Sequence, residues 1–404
     1  MNLRVAYLCA DPGVPAFGTK GASVHVQEII RAWRARGAQV HLYCTRLGDD
    51  VPADLRDLPV THIPVERGTE PAARERAQAA AAVRLARAVL ADGADVVYER
   101  YSLFSTALAV IGEHTPVAPQ RILEVNAPLI EEQSRHRTLV AEAGAWAALR
   151  AQTAAADRVV AVSPPVAEWV ARHGDMGAGG DVLRVVANGV NVDRIRPSAG
   201  ARSGLPVVVF VGTLKPWHGI ETLVEAAAAA REPWRLRLIG DGPQAEALRE
   251  QAARLGVEVD FRGAVAPERM GAELADASVA VAPYPQSEDH YFSPLKIYEY
   301  AAAGLPVVAS AIGQVPQIVA DGVTGTLVAP SNVAALAAAI DDLAADPERA
   351  ARMGAAGRER AVAEHSWTRV LDRVLEGLAT DRPDRTARGE RRIPELVEAG
   401  GRRG

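Results

Sequence analysis

The chain has 404 residues, 49% of them hydrophobic, and carries 45 Lys plus Arg against 50 Asp plus Glu, a formal net charge of −5. That length holds two ordinary domains, each with a core of its own. The charge balance excludes a nucleic-acid binder held by bulk electrostatics, so phosphate recognition has to be local. The cysteines, Cys9 and Cys44, each sit inside a short apolar run and are too few for a metal cluster. They are expected to be buried and reduced, as suits a cytoplasmic protein. The opening MNLRVAYLCADPG leaves no room for a secretory hydrophobic region, so the mature chain is expected to start at Met1. No stretch approaches the roughly 18 to 20 apolar residues of a membrane span, which leaves peripheral membrane contact open.

A short β-branched run followed by an amphipathic helix recurs along the chain and predicts parallel strands with crossover helices. Strands are expected near 4–9, 39–44, 95–98, 121–125, 158–162 and 182–186. In the first helix Val26, Ile29, Ile30 and Trp33 form one core-facing stripe, while Arg31, Arg34 and Arg36 stay in water. NGVNVDRIRPSAGARSGLP (188–206) has no hydrophobic period and reads as an interdomain connection. A second strand series follows at 206–212, 236–240, 257–263, 278–285, 305–310 and 324–330. SWTRVLDRVLEGLA (366–379) predicts a helix with Ser366 as N-cap, and the charged, Gly-rich remainder predicts a disordered tail. The expected class is α/β: two Rossmann-like domains facing a cleft, with parallel sheets covered by helices on both faces. Its divisions fall at 1–187, an interdomain linker at 188–205, 206–364, a helix at 365–380 returning to the N-terminal domain, and a tail at 381–404.

Two such domains place a ligand between them, at the carboxyl ends of the strands, where helix N-termini point. The most informative segment is YFSPLKIYEYAAAGLPVVAS (291–310). With Ser293 as N-cap and Pro294 in the first helical position, the amides of Leu295 and Lys296 are left for an anion. Lys296 is misplaced for the helix dipole, which a bound anion would explain. A surface pair between Lys296 and Glu299 at i, i+3 is the alternative.

At this segment the chain resembles the donor-site motif of the retaining glycosyltransferases of family 4, which have the GT-B fold. VGTLKPWHGIETLVEA (211–226) is similar to the family's first strand, glycine loop and helix of the C-terminal domain, and IGDGP (239–243) to the next strand end. NGVNVDRIRP (188–197) resembles its interdomain segment, and GASVHVQEIIRAWRARGAQVHLYCTR (21–46) its first helix and second strand. The similarity covers roughly residues 1–380, and order and spacing together make it specific.

The resemblance implies a hexosyltransferase that moves a sugar from a nucleotide diphosphate donor, UDP-sugars first and GDP-sugars next, to an acceptor hydroxyl. The acceptor stays open between a small molecule, a glycan and a glycolipid, as in polysaccharide assembly; neither a metal, another cofactor nor a nucleic acid is expected. Glu299 would bond the donor ribose as the second glutamate of the family's Glu-x7-Glu motif. The first glutamate's place holds Tyr291, which leaves the backbone amides of Phe292, Ser293 and Leu295, beside Pro294, to reach the sugar. Tyr291 would pack on the sugar, with Glu288 or Asp289 supplying an oxygen. The family's Arg after Gly212 and Lys before the next glycine are here Thr213 and His218, so charge for the leaving diphosphate falls to Lys215 and Lys296. A protonated His218 would add to it, and the rate would then fall as pH rises through roughly 6 to 7; a surface-loop histidine is the alternative.

Lys20 and Gly21 would border the leaving phosphate and the acceptor. Asn126 in RILEVNAP (121–128) stands where the family has a sugar-contacting histidine; it cannot serve as a base, and an Asx turn before Pro128 is its other reading. No nucleophile emerges on the donor's other face, so the resemblance implies retention by front-face substitution, with the leaving phosphate taking the acceptor's proton. Two alternatives stay open: an epimerase or sugar phosphate synthase of the same fold, and a nucleotide-sugar-binding protein without catalysis. Basic faces at Arg31, Arg34 and Arg36, and at Arg74, Arg76, Arg84 and Arg87, fit either anionic lipid at the inner face of a membrane or plain solvation.

Overall fold

The structure is a computed structural model, and it describes residues 3–66, 70–115, 118–176, 182–198, 204–287 and 290–378. Glu288, Asp289 and the tail 381–404 lie outside the described residues. Two parallel sheets organise the chain. The first orders β3 (Val60–His62), β2 (Gln39–Cys44), β1 (Arg4–Cys9), β4 (Val96–Arg100), β5 (Gln120–Val125), β6 (Arg158–Ala161) and β7 (Leu183–Val185). The second orders β10 (Val259–Gly263), β9 (Arg235–Ile239), β8 (Val207–Val211), β11 (Val279–Ala282), β12 (Val307–Ser310) and β13 (Gly325–Val328). These are the Rossmann-like halves that the strand–helix alternation predicts, with β3 as an additional edge strand.

Period-2 alternation sends each strand's residues to two cores. Val5, Tyr7 and Cys9 of β1 join one cluster and Ala6 and Leu8 the other; in β8, Val208 and Phe210 separate in the same way from Val209 and Val211. Both cysteine thiols are free and buried, and burial first of all pushes each up to about 12, so they are unreactive filling. In each sheet the strand order reverses beside the first strand, between β1 and β4 and between β8 and β11. The loops leaving those strands are where a doubly wound sheet offers a crevice.

The first helix, Gly21–Ala35, buries Val26, Ile29, Ile30 and Trp33. Arg31 and Arg34 on this helix and Arg36 at its cap do not form a free basic face. Arg31 bonds Asp54 and Glu28, Arg34 pairs with Asp57, and Arg36 with Asp372, so local carboxylates neutralise the stripe. Arg74, Arg76, Arg84 and Arg87 stay exposed on helix Pro71–Asp92. Among the described residues no helix is long and apolar enough to cross a membrane.

The connection near 188–197 is fastened to both halves. Asn191 Nδ2 donates to Glu28 Oε2 at 3.0 Å, Arg194 pairs with the same carboxylate, and Arg358 donates to the carbonyls of Val192 and Ile195, each at 2.9 Å. Helix Trp367–Leu375, capped by Ser366, inserts Trp367, Val370, Leu371 and Val374 into the cluster under the first helix. The chain therefore crosses between the halves twice, side by side. Val190 N donates to His365 O at 2.8 Å, and a Cβ on Gly189 would fall 2.7 Å from that oxygen.

Candidate functional site

The loops that leave the carboxyl ends of the two sheets meet each other. A Cβ on Gly21, at the start of the first helix, would lie 3.2 Å from Leu295 Cδ1 of helix Leu295–Ala302 in the second half. Gln314 Nε2, beyond β12, donates to the carbonyl of Val162, beyond β6, at 3.1 Å. Lys20 is exposed beside this seam. Gly21 thus serves close packing of the two halves.

On the second sheet the glycines set the backbone. Gly212 (φ 146°) ends β8 and Gly240 (φ 141°) ends β9, and a Cβ on Gly240 would lie 1.9 Å from the Gly212 carbonyl oxygen. Only glycine allows the two strand ends to sit so close. Beyond Gly212 run Thr213 and Lys215, both half-buried, and a short turn carrying His218, which ends at Gly219 in the left-handed region.

Lys296 reaches this loop from helix Leu295–Ala302. Its Nζ lies 3.1 Å from His218 Nδ1 and 4.0 Å above the Phe210 ring, with Tyr284 at 5.3 Å. A Cβ on Gly212 would come within 2.9 Å of it. The side chain is buried, and burial holds its ammonium well below the usual lysine range, with Glu299 opposing. The surface Lys296–Glu299 pair is therefore corrected: Lys296 points inward, because the first turn of its helix faces β8 rather than solvent.

His218 is likewise no surface residue. Burial, then Lys296, Lys215 and His290, push it down to about 2, so it is neutral near pH 7 and accepts from Lys296. A rate that falls as His218 loses a proton between roughly pH 6 and 7 is not expected of this geometry. His290, which the sequence reading did not single out, lies tilted against Phe292 at 4.2 Å and meets Tyr284 edge-on at 4.8 Å. It is buried, pushed down to about 4 first by burial, and neither ring nitrogen finds a hydrogen-bond partner among the described residues. Two lysines and two neutral imidazoles converge here.

Ser293 does not cap helix Leu295–Ala302. Its hydroxyl accepts from Asn188 N at 3.1 Å and its carbonyl from Asn188 Nδ2 at 2.9 Å, while Pro294 occupies the cap position without a side-chain bond. The interdomain segment outcompetes the local cap. Glu299 is half-buried one turn further on, and burial raises its carboxyl to about 7 despite Arg194. Tyr291 turns the other way, its hydroxyl donating to Glu132 of helix Leu129–His136; the expected packing on a sugar is corrected accordingly.

In the first half, Asn126 Nδ2 donates to Glu124 Oε1 at 2.5 Å, which replaces the Asx turn. Glu124 is fully enclosed and meets His25 at 2.5 Å, Arg100 at 3.7 Å and the Tyr98 hydroxyl. Burial works to raise its carboxyl, yet these donors hold it down to about 2. An ionised carboxylate only accepts, so it fixes the amide of Asn126 and leaves Oδ1 as the other face. Among the described residues no cluster of His, Cys, Asp and Glu has metal-ligand geometry.

Residues 205–346 match the model described as glycosyl transferases group 1, and residues 19–194 that of glycosyltransferase family 4. The chain is 37% identical over 236 residues to a D-inositol 3-phosphate glycosyltransferase of Streptomyces avermitilis, covering 53% of this chain and 48% of that one. It is 35% identical over 216 residues to a GDP-mannose-dependent alpha-(1-6)-phosphatidylinositol monomannoside mannosyltransferase of Mycolicibacterium smegmatis, covering 49% of this chain and 56% of the other. The matches thus span about half the length of these relatives. With an alpha-maltose-1-phosphate synthase of Mycobacterium tuberculosis it shares 30% identity over 93% of this chain and 98% of that one. In structure it superposes on a sucrose-phosphate synthase from Thermosynechococcus elongatus with a TM-score of 0.69 and 25% identity, over 93% of this chain and 97% of the other.

Proposed function

Since the chain belongs to the family 4, group 1 glycosyltransferases of the GT-B type, we propose that it moves a sugar from a nucleotide diphosphate donor to an acceptor hydroxyl, using the loop after Gly212 together with Lys296. The observation that carries this reading is the Lys296–His218 pair. A buried lysine and a half-buried histidine, both depressed first by desolvation, face each other across 3.1 Å with Lys215 beside them. Such an arrangement is costly without an anion, and a diphosphate entering it would be stabilised most as its charge develops on departure.

Within this reading Glu299 accepts from the ribose hydroxyls, and the amides of Phe292, Ser293 and Leu295 border the sugar. Asn126 presents an acceptor oxygen from the opposite half. The donor is a UDP-sugar by family habit, with GDP-mannose next because of the mannosyltransferase relative. Retention follows from front-face departure, in which the leaving phosphate oxygen takes the acceptor's proton as the new bond forms. Two lysines supply the charge that a metal ion supplies in other transferases. The near full-length likeness to a maltose-1-phosphate synthase supports a second reading, in which the acceptor is itself a sugar phosphate.

The test is release of nucleoside diphosphate from UDP- and GDP-sugars, with D-inositol 3-phosphate and glucose 1-phosphate as acceptors. Turnover is expected to survive excess EDTA, and Lys215→Ala and Lys296→Ala are each expected to lower kcat by about a hundredfold, more than they weaken donor affinity. Near-normal turnover in both variants overturns the assignment, and activity lost to EDTA and restored by magnesium overturns the metal-free chemistry.

A further inference from the structure

Tyr291 stands immediately before the run 292–295, yet it belongs physically to the other half. Its ring packs against the first domain's buried cluster and its hydroxyl donates to Glu132. Its carbonyl accepts from the Ser163 hydroxyl. Ser163 is no loose partner, because it also caps helix Pro164–His173, accepting from Val166 N at 3.4 Å. Leu295 against Gly21 and Gln314 against Val162 flank the same seam.

Resting on the proposed function, we propose that Tyr291 is a positioning residue, a clasp across the cleft that ties the donor-side loop to the acceptor-side half. A phenol donating to a carboxylate makes a charge-assisted bond, about twice as strong as a neutral one. A glutamate at position 291 would set a second carboxylate against Glu132, so the tyrosine suits Glu132 better than the acid would. The clasp holds the amides of Phe292, Ser293 and Leu295 and the start of helix Leu295–Ala302 in register with Asn126 and Gly21, which is where positioning contributes to rate.

The test uses the full chain without substrate, comparing Tyr291→Phe, Glu132→Leu, the double variant and Glu132→Gln by hydrogen exchange and small-angle scattering. Tyr291→Phe and Glu132→Leu are each expected to speed exchange in helix Leu129–His136 and in 292–302 by about tenfold, and to enlarge the radius of gyration. The double variant is expected to match the singles, since only one bond is lost. Glu132→Gln, whose amide oxygen still accepts from the phenol but without the charge, is expected to fall between wild type and Glu132→Leu. In turnover, Tyr291→Phe is expected to lower kcat about tenfold while donor affinity changes by about twofold or less. Wild-type exchange in Tyr291→Phe, additive effects in the double variant, or a loss confined to donor affinity each overturn the clasp. A wild-type chain without turnover sinks the proposed function alone, because the exchange arm needs no substrate.

Discussion

Glu299 shows how one side chain is set by its surroundings. Its carboxyl is raised to about 7 chiefly by burial, so the folded chain holds that proton more tightly than the unfolded chain does. The sign follows: stability falls as pH rises from the ordinary carboxylate range towards 7, and the full cost is present above it. Glu299→Gln is therefore expected to be more stable than wild type by about 1–2 kcal/mol at pH 8 and by almost nothing near pH 4. Thermal unfolding of both proteins across that range checks it; a constant difference would show that the carboxyl is not buried in this way. Glu299 and Lys296 were legible in the sequence because a motif carries them. Ser293 was misread because its partner, Asn188, is 105 residues away. Glu28, His25 and Glu124 were not legible, since no local pattern distinguishes an enclosed carboxylate hub from a solvated one; the first helix buries Ser23, His25, Gln27 and Glu28 together, and nothing in their spacing sets His25 and Glu28 apart.

At the scale of elements, the turn from β8 into helix Ile220–Ala228 decides where His218 and Lys215 point. Gly219 has φ 65°, and a Cβ there would lie 1.9 Å from the Pro283 carbonyl oxygen. Gly219→Ala is expected to cost about 2–4 kcal/mol, combining a left-handed backbone with a backbone clash that no rotamer relieves. Urea unfolding measures this, and a loss under about 0.5 kcal/mol would mean that the turn is not built as described. Strands such as β8 and β11 were legible because both faces are buried and the sequence is a continuous apolar run rich in valine. β3 was not: Val60 and Thr61 are half-buried and His62 exposed, so three edge residues leave no hydrophobic period to detect.

Across the whole molecule, the halves are joined by two adjacent crossings and by contacts between their carboxyl-end loops. The division into two Rossmann-like halves was legible from strand–helix alternation, but the closeness of the halves was not. It depends on side chains such as Tyr291, Gln314 and Arg358, whose partners belong to distant stretches of chain. On the proposed function, the contacts between the halves bring Lys215, His218 and Lys296 to where a nucleotide diphosphate would bind. Calorimetric titration of UDP-glucose and GDP-mannose into wild type, Lys296→Ala and Glu299→Ala tests that claim most directly. One of the two donors is expected to bind wild type, with affinity falling about tenfold or more in Lys296→Ala and by about 1–3 kcal/mol in Glu299→Ala. Donor affinity unchanged in both folded variants, or binding of neither donor to wild type, would contradict it.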